Sequence, residues 1–106
     1  MKKIINGRLY DTDTARNIGS WSNNLGAGDF KSCTEVLYQK RTGEYFLFGC
    51  GGAMTSYARA AEGGGVTGGS TIFPFSERQA KNWAKAHLSA EEYLELFDDT
   101  ESGRTL

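Results

Sequence analysis

The residues best able to carry out chemistry are few in this chain. It contains a single histidine, His87, and two cysteines, Cys33 and Cys50. A zinc site needs three or four His, Cys or carboxylate ligands at workable spacing, and these three residues do not supply a usual set. A catalytic triad would depend on His87 alone, and no Gly-x-Ser-x-Gly nucleophile elbow accompanies it. We therefore expect no catalytic residue, no metal and no cofactor, and predict that the protein is not an enzyme.

Two glycine patterns resemble ligand-binding loops. Residues 63–68, Gly-Gly-Gly-Val-Thr-Gly, match the Gly-x-Gly-x-x-Gly spacing of dinucleotide loops. Such a loop follows a buried strand and opens a helix, whereas this one precedes the β-branched pair Thr71-Ile72, so the context argues against a nucleotide cofactor. Residues 49–52, Gly-Cys-Gly-Gly, could present backbone N–H groups to an anion beside Arg59, or could simply allow a tight turn.

The two cysteines and the basic residues give weaker signals. A cytosolic protein keeps its cysteines reduced, and on neighbouring strands Cys33 and Cys50 would be offset in register, which disfavours a direct disulfide. Basic and aromatic residues intermix around one predicted hairpin, as in single-stranded nucleic-acid platforms, although a solvated hairpin end is the favoured explanation. These residues are Phe30, Lys31, Tyr38, Lys40, Arg41 and Tyr45.

The element that must organise these residues is a central hairpin. On both sides of Thr42-Gly43, alternate residues of the segment Leu37–Gly52 point to opposite faces and both faces carry apolar groups, which predicts central strands over about 33–40 and 44–49. Asn6-Gly7 predicts a smaller hairpin of Lys2–Ile5 and Arg8–Tyr10. The run Asp11–Ala15 predicts the start of a short N-terminal helix over about 12–18, ended by Gly19.

Two C-terminal helices are the clearest local prediction. Ser76-x-x-Gln79 and Ser89-x-x-Glu92 are capping boxes, which start helices over about 77–88 and 90–97. The first helix carries an apolar stripe at helical spacing, and the second should close the core with its apolar side chains. The stripe is Ala80, Trp83, Ala84, His87 and Leu88, and the closing residues are Tyr93, Leu94, Leu96 and Phe97.

These elements predict an α+β fold with a small antiparallel sheet covered by the helices. The length of 106 residues supports one domain over 1–106, and 98–106 should be a flexible tail. The segment 49–69 should be largely irregular, with a mobile loop around Gly63–Gly69. No signal peptide and no apolar run of membrane-spanning length is found, which predicts a cytoplasmic protein without membrane contact.

The net charge of −1 conceals an uneven distribution. Residues 1–60 carry 8 basic and 5 acidic side chains, and residues 61–106 carry 4 basic and 8 acidic ones. Because no overall basic field exists, we expect no direct nucleic-acid binding. The acidic end is either a solvated helix face or a surface for a basic protein partner. Its residues are Glu91, Glu92, Glu95, Asp98, Asp99 and Glu101.

Several segments together resemble a family of roughly hundred-residue proteins from phages and mobile elements of Gram-positive bacteria, some of which are similar to anti-CRISPR proteins. The segments are Lys3-Ile4-Ile5-Asn6-Gly7, Tyr10–Ala15, Leu37-Tyr38-x-Lys40-x-Thr42–Leu47, Gly49-x-Gly51-Gly52 and Ala80-x-x-Trp83-Ala84. The resemblance spans nearly the whole chain, but it consists of turn, strand and core positions and transfers no active site.

The resemblance implies a non-enzymatic inhibitor of a bacterial CRISPR–Cas effector, for example Cas9, acting in the host cytoplasm. Such an inhibitor would block nucleic-acid binding or activation, and an acidic C-terminal helix would compete with phosphate in the basic channel of the effector. The expected partner-binding residues are Glu91, Glu92, Glu95, Asp98 and Asp99, or instead an exposed set of Lys40, Arg41, Tyr45 and Tyr57.

Two further readings stay open. The glycine-rich segment 49–69 could bind a small ligand or nucleotide, which would make the protein a different kind of anti-defence factor. An open edge strand could also support a homodimer.

Overall fold

A computed structural model describes residues 1–26 and 28–97 of the chain. They form an α+β domain whose centre is a four-stranded antiparallel sheet in the order β3-β4-β5-β8, which confirms the predicted fold class. The strands are β1 Lys2–Ile5, β2 Arg8–Asp11, β3 Arg16–Ser22, β4 Cys33–Gln39, β5 Tyr45–Gly51, β6 Arg59–Ala60, β7 Val66–Thr67 and β8 Gly69–Phe75; the helices are α1 Glu77–His87 and α2 Ala90–Leu96.

The predicted hairpin occupies the middle of this sheet. Strands β4 and β5 pair with Leu37 opposite Leu47, and the Gly43 N–H closes the turn on the Lys40 carbonyl. The strands extend further than expected, because β5 continues through Gly51. The segment 49–69 is largely irregular as predicted, but its first three residues belong to β5 and the short strands β6 and β7 pair within it.

The sheet separates two apolar cores. On the helix face, the side that α1 and α2 cover, Leu37 and Leu47 are buried against the helical layer. On the opposite side, the hairpin face, Phe46 packs under Tyr10 of the β1–β2 hairpin. Successive strand residues point to opposite sides of the sheet. The apolar side chains of the hairpin therefore contribute to a core on each side.

The expected N-terminal helix over 12–18 is absent. The N–H groups of Thr14 and Ala15 donate to the Asp11 carbonyl, and the chain then leaves this single turn as β3. The helix start predicted at Asp11–Ala15 is thus confirmed for one turn only. Pairing of β3 with β4 and burial of Ile18 and Trp21 on the helix face outweigh a short helix, which has little stability of its own.

Gly19 has a different role from the one predicted. It lies in β3 next to a register shift rather than at the end of a helix. A Cβ at this position would approach Leu88 Cδ1 to 3.0 Å and Trp83 to 3.3 Å, so the missing side chain lets the helical layer lie close to the strand.

Both C-terminal helices and both capping boxes are present. The Ser76 hydroxyl accepts from the Gln79 N–H while the Gln79 amide oxygen accepts from the Ser76 N–H, and Ser89 and Glu92 repeat this arrangement in α2. The core role expected for α2 holds for Phe97 but not for Leu94, which is 51% exposed. No helix among the described residues is long and apolar enough to cross a membrane. The predicted tail over 98–106 lies outside the described residues.

Candidate functional site

The most densely bonded polar group of the helix face is the carboxylate of Glu35 in β4. Its Oε2 accepts a hydrogen bond of 2.5 Å from the Tyr57 hydroxyl, and its Oε1 accepts one of 2.9 Å from the Trp83 Nε1–H. The Glu35 side chain is only 18% exposed. We call Glu35, Tyr57, Trp83, His87 and Trp21 the Glu35 cluster.

Strand register and the packing of α1 bring the donors of the cluster to Glu35. Glu35 lies opposite Gly49 in β5, and the Tyr57 ring lies directly over Gly49, where a Cβ would overlap the phenol. Because residue 49 is a glycine, the segment after β5 can fold back onto the helix face. Helix α1 approaches the same carboxylate from the other side with Trp83.

His87 lies at the boundary of the cluster between two indole rings. Its ring centroid is 4.7 Å from that of Trp21 and 5.0 Å from that of Trp83. Its Nε2 is 3.9 Å from Glu35 Oε1, which is too long for a hydrogen bond. Within the described residues, packing between the two indole rings therefore holds the imidazole of His87, which lies in the apolar stripe predicted for α1.

The electrostatics of the cluster favour the protonated forms of the Tyr57 hydroxyl and of the nearby Cys33 thiol. Burial, followed by the hydrogen bond and the charge of Glu35, strongly raises the pKa of Tyr57, so its hydroxyl stays protonated at neutral pH. Burial together with the charge of Glu35 also raises the pKa of the Cys33 thiol, which disfavours a nucleophilic thiolate. Both oxygens of Glu35 already accept from fixed donors, which leaves no obvious proton-transfer partner.

The cysteines follow the predicted geometry. Both are free, and in the paired strands Cys33 lies opposite Gly51 while Cys50 lies opposite Thr34. This one-residue offset places them on opposite faces of the sheet. Among the described residues, no three His, Cys, Asp or Glu side chains come together as a metal site requires.

Neither glycine pattern forms the loop it resembles. Residues 49–51 belong to β5, and the Gly52 N–H donates to the Ser32 carbonyl, so the proposed anion nest was wrong. Gly63, Gly64 and Gly65, with φ of +83°, +106° and +80°, form the turn between β6 and β7, and no helix follows them.

A groove lies over Cys50, next to the glycine-rich segment. We define this Cys50 groove, of about 620 Å³, by Phe30, Thr34, Cys50, Gly52 and Val66 at its centre. Phe30 and Val66 are 66% and 59% exposed. Asp29 is the one charged side chain in its lining.

The predicted partner-binding residues fall into different environments. Glu91, Glu92 and Glu95 are exposed on α2, and Asp98 and Asp99 lie outside the described residues. On α2, the Glu92 side chain completes the capping box, since its Oε1 accepts from the Ser89 N–H at 3.0 Å. Glu91 and Glu95 make no hydrogen bond or ion pair within the described part of the chain.

In the alternative set of exposed residues, the exposure predicted for Tyr57 was wrong. Tyr57 is buried, and Tyr45 is half-buried with its ring centroid 5.8 Å from that of Phe97. Lys40 donates to Glu44 Oε1 at 2.8 Å and lies over the Tyr10 ring, so its charge is used within the fold. Arg41 is exposed, as expected.

Glu35 was not among the functional residues predicted from the sequence. In the sequence it is the one acidic residue of β4, next to the apolar run Val36-Leu37-Tyr38. That pattern was the available signal, because an acidic residue among central-strand positions requires donors when it is buried. The identity of those donors depends on Tyr57 and Trp83, which are 22 and 48 residues away.

Comparison with family models, with curated proteins and with solved structures found no match to this chain.

We expect Glu35→Ala to lower the free energy of unfolding by about 2 to 3 kcal/mol, because it leaves two largely buried donors without an acceptor. Urea unfolding followed by tryptophan fluorescence measures this change. Glu62→Ala is the matched control, since Glu62 is exposed and should change stability by less than about 0.5 kcal/mol. Equal stabilities of the two variants would contradict a structural role for Glu35.

The raised pKa of Tyr57 predicts a loss of stability in alkali. An unfolded tyrosine releases its proton near pH 10, and the folded Tyr57 retains it, so the free energy of unfolding falls as the pH rises above about 10. The contribution of this one proton approaches about 1.4 kcal/mol per pH unit. Tyr57→Phe should therefore give a shallower decline between about pH 10 and 12.

Trp83→Phe is the control for this measurement. It removes the other hydrogen bond to Glu35 without removing a titrating group, so it should lower stability while keeping the alkaline slope of the wild type. Slopes that coincide for wild type and Tyr57→Phe would show that Tyr57 does not contribute to the alkaline transition.

Proposed function

We propose that this protein is a non-enzymatic inhibitor that binds a bacterial CRISPR–Cas effector through the exposed face of α2. The observation that carries the proposal is the composition of this face. The α2 face consists of the exposed residues Glu91, Leu94 and Glu95, in which Leu94 and Glu95 follow Glu91 by about one helical turn. The choice of a CRISPR–Cas effector as the target follows from the resemblance of the chain to a family in which some members are similar to anti-CRISPR proteins.

Leu94 gives this surface the character of a protein-binding site. A large apolar side chain that is 51% exposed between two carboxylates contributes little to the core of the domain. In protein interfaces such a side chain fills a pocket at the centre while charged groups surround it. The α2 face therefore fits a partner with an apolar pocket in a basic surface.

The electrostatics support competition with nucleic acid. Channels that hold a guide–target duplex are positively charged, and a rigid pair of carboxylates would occupy part of the surface that phosphates otherwise contact. The carboxylates of Glu91 and Glu95 remain available because no described residue pairs with them. The inhibitor would act stoichiometrically, because the Glu35 cluster and the cysteines support no turnover.

The test reverses the charge of the α2 face without disturbing its cap. Glu92 is kept, because its side chain completes the capping box, and Glu91→Lys and Glu95→Lys are combined. We expect at least about a tenfold loss of affinity for the target effector, stronger at low salt, with an unchanged unfolding midpoint. The target is first obtained by retaining CRISPR effectors of Gram-positive hosts on the immobilised protein.

The matched control combines Asp13→Lys and Glu62→Lys. It changes the net charge by the same amount at two exposed positions outside α2. Loss of affinity confined to the α2 variant supports the proposal. Equal losses in both variants would mean that net charge alone governs binding, and full affinity of the folded α2 variant would reject the α2 face as the interface.

A second candidate function is the binding of a small ligand in the Cys50 groove. The groove connects the start and the end of the glycine-rich segment, since residues 50–53 and 66–68 line it. Its volume is within the range of small-molecule sites, and its exposed Phe30 and Val66 favour an apolar ligand. Phosphates would meet the acidic Asp29 and no cation there, so a nucleotide fits this groove poorly.

This candidate predicts that the neutral apolar dye Nile red binds in the Cys50 groove. Phe30→Ser should weaken dye binding several-fold, because Phe30 provides the largest apolar side chain of the lining. Ile4→Ser, at an apolar position of β1 that is 71% exposed, is the control and should bind dye as the wild type does. Dye fluorescence that is the same for both variants would argue against the groove.

A further inference from the structure

A second groove with a different character lies along β8. We define the β8 groove, of about 540 Å³, by Lys2, Lys3, Arg59, Thr71 and Phe73. One wall is β1, the other is the segment 56–59, and Ser70, Thr71 and Phe73 of β8 contribute the remaining lining. Strand β8 is at the edge of the four-stranded sheet, so the groove runs beside backbone groups that no neighbouring strand pairs.

The groove collects positive charge without compensation. Three cationic side chains line it, and none of its lining residues in 1–26 and 28–97 is Asp or Glu. None of the three cations forms an ion pair with a carboxylate within the described residues. By contrast, Arg8, Lys40 and Lys81 elsewhere in the protein each pair with a glutamate.

Two of these cations are held in place by neutral contacts. Lys3 Nζ donates to Thr71 Oγ1 at 3.3 Å, which fixes the ammonium group across the width of the groove. The aliphatic stem of Arg59 lies against Gly69, where a Cβ would overlap Cγ and Cδ of the arginine. Arg59 is thereby directed along β8, and less side-chain entropy would be lost when it binds an anion.

An aromatic ring lies beside the cations. Phe73 is 42% exposed, and its ring centroid is 6.3 Å from that of the buried Tyr57 at an interplanar angle of 49°. Tyr57 is in turn fixed by Glu35. The exposed Phe73 ring therefore has a rigid support and can stack on a planar base.

The geometry points to the β8 groove as a binding site for a mononucleotide, with the phosphates on Lys3 and Arg59 and the base on Phe73. Charge-assisted hydrogen bonds from Lys and Arg are the usual contacts of phosphate groups, and the hydroxyls of Ser70 and Thr71 supply further donors. The volume fits one nucleotide. This site is separate from the α2 face and goes beyond the proposed inhibition of an effector.

The probes are ATP, adenosine and inorganic pyrophosphate, measured by isothermal titration calorimetry at low salt with the full chain. We expect ATP to bind more tightly than either of the other two, since it alone carries both the base and the phosphates. Lys3→Gln and Arg59→Gln should each weaken ATP binding about tenfold, the usual effect of one charge-assisted hydrogen bond. Phe73→Leu should weaken ATP binding and leave pyrophosphate binding unchanged.

Arg41→Gln is the control for general charge effects, because Arg41 is an exposed cation outside the β8 groove. It should bind ATP as the wild type does, and thermal unfolding checks that all variants are folded. No ATP binding at millimolar concentration, or equal losses in Arg41→Gln and Arg59→Gln, would overturn the proposal. Much tighter binding of an eight-nucleotide oligothymidylate than of ATP would also overturn it, in favour of a single-stranded nucleic-acid surface. Because these readouts involve no effector, they remain distinct from the test of the α2 face.

Discussion

The carboxylate of Glu35 accepts hydrogen bonds from the two parts of the chain that pack on the helix face around it, α1 and the segment after β5. Helix α1 reaches it through Trp83, and the segment after β5 reaches it through Tyr57. A largely buried carboxylate is tolerated only when donors satisfy it, and here each donor comes from a different element. One side chain in the central strand thus fixes where the helix and the loop lie relative to each other.

This constraint has consequences for the surface. Tyr57 bonded to Glu35 lies beside Phe73 on one side of the cluster, and Trp83 holds α1, from which α2 continues after a short turn. The β8 groove and the α2 face are therefore both attached to the same rigid centre. Side chains presented on rigid elements lose less entropy on binding than side chains of mobile loops do.

The charged side chains are also divided between the α2 face and the β8 groove. Within the part of the chain that the structure describes, carboxylates that form no ion pair lie on α2, and cations that form no ion pair lie along β8. The net charge of −1 hides this arrangement, because the two sets nearly cancel in the sum. An acidic helix that binds a basic protein and a basic groove that binds a phosphorylated ligand are compatible in one molecule, since each surface repels the ligand of the other.

Local sequence patterns determined the parts of the fold that local interactions stabilise. The capping boxes at Ser76 and Ser89 defined the helix starts, and alternation around Gly43 defined the central hairpin. The stretch after Asp11 shows the limit of this reasoning. Its start signal produces one turn, but the strand that follows gains more from pairing with β4 than a short helix would gain alone.

The sequence by itself also determined that catalytic and metal-binding residues are scarce, because composition limits what any fold can assemble. Only the tertiary structure decided that Glu35 joins Tyr57 and Trp83, that Tyr57 is buried, and that Lys3 and Arg59 meet along β8. These groupings bring together residues far apart in the chain, and their positions follow from strand register and from close approach at Gly49 and Gly69. Neither register between distant strands nor packing over a glycine is encoded in a local pattern, so the surfaces available for function emerge only when the sheet is formed.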